Sequence, residues 1–222
     1  SSTSSMKPEL SSVYLYPEGN FIVFVATDSF RLAEKKIRVK NSEGFENILI
    51  PFKNVNEIIR VLDNVNDDVE VTFESNQISL ESSGTYLLSR IVDGSFPDYG
   101  QIIPKDNTSE VIVLKHDLTQ ALRLSNVFSD KFNQISMLVR PDDSIFEIQS
   151  KNIDKRENKN VIQATLRGDS VEMRFNHKYI VDSFTSIDSD SLVLSFSGSQ
   201  KPMVVRGVND ASFLYLVMPM NK

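Results

Sequence analysis

The strongest constraint on this 222-residue chain is a helix–strand unit that occurs twice. Phe52, Ile58, Val61, Val69, Val71 and Phe73 recur in order, with the same separations, as Phe175, Val181, Phe184, Leu192, Leu194 and Phe196. Both stretches read as a strand end, an amphipathic helix, an acidic turn (Asp67-Asp68, then Asp188 and Asp190) and an alternating strand. Solenoid repeats have periods of about 20–50 residues, so a spacing this long signals a duplicated domain. Chance agreement between two amphipathic pairs is the competing explanation.

The rest of the chain is dominated by short apolar or alternating runs, the pattern of strands. Val13–Tyr16 and Phe21–Ala26 flank Pro17-Glu18-Gly19-Asn20 and read as a hairpin; Val161–Leu166 reads as one strand. Helical spacing occurs three times. Val55, Ile58, Ile59 and Leu62 form a stripe on a helix starting near Lys53. Leu118, Ala121, Leu122 and Ser125 form a second behind a cap at Asp117, on a helix from His116 to about Phe128. Ile180, Phe184 and Ile187 form a third, capped by Asn176. The second copy opens with a strand, Val111–Leu114, and a helix; the first has only Ser1–Lys7 in that place, so it is expected to lack its first strand and helix. The fold class is α+β, with two modules of antiparallel sheet, residues 1–105 and 106–222, joined by an extended Val92–Thr108 segment. Lys151–Asn160 reads as a long polar loop.

Composition excludes several kinds of chemistry. There is no cysteine, hence no disulfide or thiolate metal site. The two histidines, His116 and His177, open polar helix faces and are expected to be exposed. No apolar run approaches the roughly 20 residues that span a bilayer, and Ser1–Ser5 does not resemble a leader, so a cytoplasmic location without membrane contact is expected. No phosphate-cradling glycine loop, G-x-S-x-G or H-E-x-x-H motif is present. Asp67-Asp68 and Asp142-Asp143 read as solvated turns, and no catalytic residue, metal or cofactor is implied. The net charge of −6 argues against bulk electrostatic binding of nucleic acid, so any DNA contact is local, weak or topological.

Three separated segments carry a resemblance: Ala26-Thr27-Asp28-Ser29-Phe30-Arg31-Leu32-Ala33; Val92-Asp93-Gly94-Ser95-Phe96-Pro97-Asp98-Tyr99 with Ile103-Pro104; and the C-terminal Tyr215-Leu216-Val217-Met218-Pro219-Met220. In this order and at these separations they resemble the bacterial DNA polymerase III β subunit, the β sliding clamp. The likeness covers most of that family's middle domain and its whole C-terminal domain. It implies a clamp fold with helices on the inner face of a ring, and a non-catalytic processivity factor that encircles double-stranded DNA. The implied partners are the DNA polymerase III catalytic subunit and the clamp loader, which insert short peptides between the two domains. Matched position by position, Thr27, Ser29, Phe30, Arg31, Leu32, Pro97, Gln101, Ile102, Asn176, Tyr179, Leu216, Met218 and Met220 bind the peptide. Phe30 is larger and more apolar than is usual there, and Leu216–Met218 also fits an ordinary terminal strand. Lys53, Arg60, Arg123 and Lys178 are the candidates for facing DNA, although they fit solvated helix faces equally well. Val127 and Phe128 match the subunit interface of a homodimeric ring. The ring belongs to the full-length protein, and this fragment is expected to be monomeric. The alternative is a stand-alone protein-interaction module that never encircles DNA.

Overall fold

The structure, a computed structural model, describes residues 8–42, 44–74, 76–127, 132–151 and 157–220. Two compact units divide between Asp98 and Tyr99. Each is an α+β arrangement dominated by antiparallel strands.

Unit 1 begins with β1 (Ser12–Glu18) and β2 (Phe21–Thr27), joined by the hairpin anticipated from Gly19 and Asn20. Gly19 has φ +59°, the left-handed conformation that a two-residue hairpin turn requires. β3 (Arg31–Arg38) pairs with β2, and β4 (Ile48–Pro51) pairs with β1, giving the order β4-β1-β2-β3. Helix α1 (Phe52–Leu62) follows β4 directly. β5 (Glu70–Glu74), β6 (Gln77–Ser82) and β7 (Thr85–Arg90) form a meander. Leu15, Ile48, Ile50, Ile78 and Leu80 make the buried core, and Val55, Ile58 and Leu62 of α1 pack against it.

Unit 2 opens with a 3-10 turn (Tyr99–Ile102), then β8 (Ser109–Leu114) and α2 (Lys115–Val127). β9 (Gln134–Arg140), β10 (Ile145–Lys151), β11 (Glu157–Val161) and β13 (Val171–Asn176) pair in the order β11-β10-β9-β13. β12 (Ala164–Gly168) pairs with β8. After α3 (His177–Asp182), β14 (Ser191–Phe196), β15 (Met203–Gly207) and β16 (Phe213–Val217) complete the order β12-β8-β14-β15-β16.

The two units share one topology: β1 to β4 and α1 repeat as β9, β10, β11, β13 and α3, and the meander β5–β7 repeats as β14–β16. Among the described residues unit 1 has no counterpart of β8 and α2. Their effect on burial is direct. Leu192, Leu194 and Phe196 of β14 are wholly buried, whereas Val71, the repeat partner of Leu194, is 41% exposed. β14 pairs on both edges, and α2 contributes Leu118, Ala121, Leu122 and Ser125 to the interior. α1 buries no residue completely, and its Phe52 and Ile59 stand out in solvent.

Several expectations need correction. Phe175 lies within β13 and is fully buried, whereas its sequence counterpart Phe52 opens α1 and is exposed, so that pairing is not structural. Asp117 lies inside the first turn of α2 instead of capping it; its carboxylate still complements the positive end of the helix. The third helical stripe breaks up, since α3 ends at Asp182, Phe184 sits in a 3-10 turn and Ile187 is extended. The single strand expected at Val161–Leu166 is two strands, with Ile162 buried at the corner between them. Part of the polar 151–160 stretch is not loop: β11 pairs with β10 as an edge strand. Backbone hydrogen bonds suffice for an edge strand, whose outer side faces water, and so no apolar alternation announces it.

Candidate peptide-binding and DNA-facing surfaces

The β2–β3 turn of unit 1 carries Thr27, Ser29, Phe30, Arg31 and Leu32. Ser29 has φ +74°, a left-handed backbone that residues with a Cβ rarely adopt. Asp28 holds the turn: its Oδ1 accepts from the backbone N–H groups of Phe30 (3.1 Å) and Arg31 (3.0 Å), and its Oδ2 accepts from Arg31 Nε at 2.9 Å. Thr27 Oγ1 donates to the Arg31 carbonyl oxygen at 2.8 Å and accepts from the Ser29 N–H at 3.2 Å. Phe30 is thereby presented with 59% exposure, while Leu32, in the same run, points into the interior at 2%. Pro97 is exposed. It directly follows Phe96, whose ring stacks on Tyr14 of β1 at 4.9 Å and fixes this part of the segment to the sheet of unit 1. Burial, with the neighbouring Tyr16, raises the Tyr14 phenol above its ordinary range, against a hydrogen bond to Asn47.

Unit 2 brings a second group together. Asn176 caps α3, its Oδ1 accepting from the Lys178 N–H at 3.0 Å, as its place before the helix predicts. The Tyr215 hydroxyl of β16 donates to the Tyr179 carbonyl oxygen at 2.9 Å, and the Met220 N–H donates to the Arg174 carbonyl oxygen at 2.8 Å. The chain after β16 is thus tied to the β13–α3 junction, where Asn176 and Tyr179 lie. Met218 and Met220 are half-buried; Leu216, at 1% exposure, belongs to the sheet interior. Gln101 and Ile102, in the 3-10 turn, are exposed.

Lys53 and Arg60 are exposed on α1, Arg123 on α2 and Lys178 on α3. Arg60 pairs with Glu57 one turn away. Arg123 lines a cavity of about 540 Å3 with Lys115, His116, Val181 and Phe184, between α2 and the α3 region. Val127 is 73% exposed at the end of α2, and Leu124 at 52% stands beside it; Phe128 lies outside the described residues. Leu124 falls off the apolar stripe of α2, so helical periodicity gives no sign of it.

His116 is exposed, as anticipated, but His177 is not: it is 5% exposed. Its Nδ1 donates to the Asn133 carbonyl oxygen at 3.1 Å, and burial holds its pKa below the ordinary histidine value. A polar helix start does not reveal that the facing loop closes over it. Asp28 and Arg174 are the residues that sequence reasoning left without a role. The Asx-type spacing of Asp28 to Phe30 and Arg31 was a legible signal; Arg174 contributes only its backbone and had none. Among the described residues no group of three His, Cys, Asp or Glu is placed to hold a metal ion, and no helix is long and apolar enough to cross a membrane.

Comparison with known proteins follows the same division. The family described as DNA polymerase III beta subunit, central domain, matches residues 1–98, and its C-terminal domain matches residues 100–221. The chain belongs to the DNA polymerase III beta subunit family. Among curated members of that family, the beta sliding clamps of Staphylococcus epidermidis and Staphylococcus aureus are each 25% identical over 219 residues, 98% of this chain and 58% of theirs. The chain therefore spans less than two thirds of the length of these beta subunits. The Bacillus subtilis DNA polymerase sliding clamp superposes with a TM-score of 0.93 at 27% identity, covering 100% of this chain and 59% of that one. The Pseudomonas aeruginosa DNA polymerase III subunit beta, at 24% identity and a TM-score of 0.91, shares the fold across 100% of this chain and 60% of its own.

Proposed function

We propose that this chain acts as part of a DNA sliding clamp, a non-catalytic processivity factor that encircles duplex DNA in the cytoplasm and tethers replication proteins to it. The observation that carries the reading is the consecutive match of the family's central and C-terminal domains along one chain. A ring retains DNA by topology and needs few phosphate contacts, which reconciles the role with a net charge of −6. Lys53, Arg60, Arg123 and Lys178 face the DNA in this reading; Glu57, Asp63 and Asp182 on the same helices keep the attraction weak. Val127, with Leu124 and the edge strand β11, forms the joint to another subunit of a homodimeric ring, a strand edge beside exposed apolar side chains being suited to such pairing.

Polymerase III and clamp-loader subunits are the proposed partners, each supplying a short peptide with a glutamine and a terminal pair of large apolar residues. Phe30, Pro97, Gln101, Ile102, Met218 and Met220 offer contact surface, with Thr27, Ser29, Arg31, Asn176 and Tyr179 as polar surroundings. Leu32 in unit 1 and Leu216 in unit 2 are buried, and in this reading each supports its own unit's contact residues without touching the peptide. Methionine side chains adapt to several partners, in keeping with a shared docking site.

Calorimetric titration with a synthetic peptide carrying a glutamine and a terminal Leu-Phe pair tests the reading. The chain binds it, and Met218→Ala with Met220→Ala weakens binding by about 2 kcal/mol or more. No binding, or unchanged affinity in the double variant, overturns the peptide-binding assignment.

A further inference from the structure

We infer that Asp28 is a positioning residue of the peptide-binding surface: it holds the β2–β3 turn in the shape that presents Phe30 and Arg31 to a partner peptide. The inference rests on the peptide-binding reading above and goes beyond it: the Asp28 side chain is 35% exposed, but both of its oxygens are engaged by the turn, and its role is exerted through those neighbours.

Three features converge on this carboxylate. Ser29 occupies a left-handed conformation at φ +74°, which a residue with a Cβ keeps only where its surroundings hold it there. Three of the holding bonds come from the Asp28 side chain: Oδ1 accepts two consecutive N–H groups, and Oδ2 fixes the Arg31 guanidinium at 2.9 Å. The result is an abrupt change in burial, from Phe30 at 59% exposure to Leu32 at 2%. A large apolar side chain on a flexible turn would lose its ordering entropy when a peptide arrived; a braced turn has already lost it. Thr27 Oγ1 adds a second brace through the Arg31 carbonyl oxygen, but it cannot replace the two bonds to Oδ1.

The two oxygens have separable roles. An asparagine keeps an Oδ1 acceptor for both N–H groups and loses the charge opposite Arg31. An alanine loses both. If bracing the turn is what matters, Asp28→Asn leaves peptide affinity within about threefold of wild type, while Asp28→Ala weakens it about tenfold or more.

The experiment is calorimetric titration of the chain with the glutamine/Leu-Phe peptide, for wild type, Asp28→Ala, Asp28→Asn, Phe30→Ala and Asp28→Ala with Phe30→Ala. A positioning role raises Kd at unchanged stoichiometry, whereas partial unfolding lowers stoichiometry at unchanged Kd. Because Asp28 acts in part through Phe30, the loss in the double variant is clearly smaller than the sum of the two single losses. Unchanged affinity in Asp28→Ala, equal losses in Asp28→Ala and Asp28→Asn, fully additive losses in the double variant, or a fall in stoichiometry alone each overturns the inference. Failure of the wild-type chain to bind removes the peptide-binding reading itself, and this inference with it, which sets that outcome apart from the others.

Discussion

The repeat offers a pair of truncations at equivalent positions whose difference in cost comes mainly from how far each side chain is buried. Leu194 and Val71 hold equivalent places in the central strand positions of β14 and β5. Leu194 is 0% exposed, in a strand paired on both sides. Leu194→Ala removes three buried carbons, about 2.4 kcal/mol of transfer free energy, and incomplete collapse of the cavity brings the total to about 3–4 kcal/mol. Val71 is 41% exposed, and among the described residues of unit 1 β5 pairs with β6 alone. Val71→Ala removes two carbons that are little more than half buried, so its cost is about 1 kcal/mol. Urea unfolding followed by far-UV circular dichroism, with linear extrapolation to water, measures both. Leu194→Ala lowers the midpoint of the affected transition clearly, and Val71→Ala barely moves it. Costs within about 0.5 kcal/mol of each other would refute the argument that β8 and α2 are what make the second copy's inner face a true core.

Gly168 has φ +88°, and a Cβ there would meet the Thr108 carbonyl oxygen at 1.9 Å, so Gly168→Ala should destabilise unit 2 by about 2 kcal/mol or more in the same urea assay. Burial lowers the His177 pKa, so below about pH 6.5 the unfolded chain takes up a proton that the folded chain resists, and stability falls with pH until the lower folded value is passed. In His177→Gln, which keeps a side-chain donor, the loss of stability between about pH 7.5 and about pH 5.5 is smaller than in wild type; an identical slope would refute a buried neutral His177. With a net charge of −6, a DNA titration should show weak binding that fades with salt; binding that persists at high salt would contradict the topological reading.

The legible parts of this protein are those encoded over a few residues. Gly19-Asn20 between alternating runs specifies a hairpin, because only certain residues accept the backbone of a tight turn. Leu118, Ala121, Leu122 and Ser125 name the buried face of α2 without error, because a helix turns them to one side whatever lies opposite. Asn176 reads as a cap for the same local reason. The sites were legible only as motif segments: the turn around Phe30 and the Met218-Pro219-Met220 tail stood out, but Leu32 and Leu216 within them proved to be interior.

By itself, then, the sequence determined a duplicated strand-rich chain, the helices and most of their apolar faces, and the absence of thiol chemistry. Tertiary structure alone decided how much each of those faces is covered. The stripe on α1 is as regular as that on α2, yet α1 buries nothing completely, since periodicity states which side is apolar and not whether a partner lies against it. It likewise decided that a polar segment becomes the edge strand β11, that His177 is enclosed by the loop carrying Asn133, and that one carboxylate, Asp28, shapes a whole turn. Each of these depends on groups brought together by the fold, and the free energy of burial or of a hydrogen bond belongs to the pair, not to either residue's place in the chain.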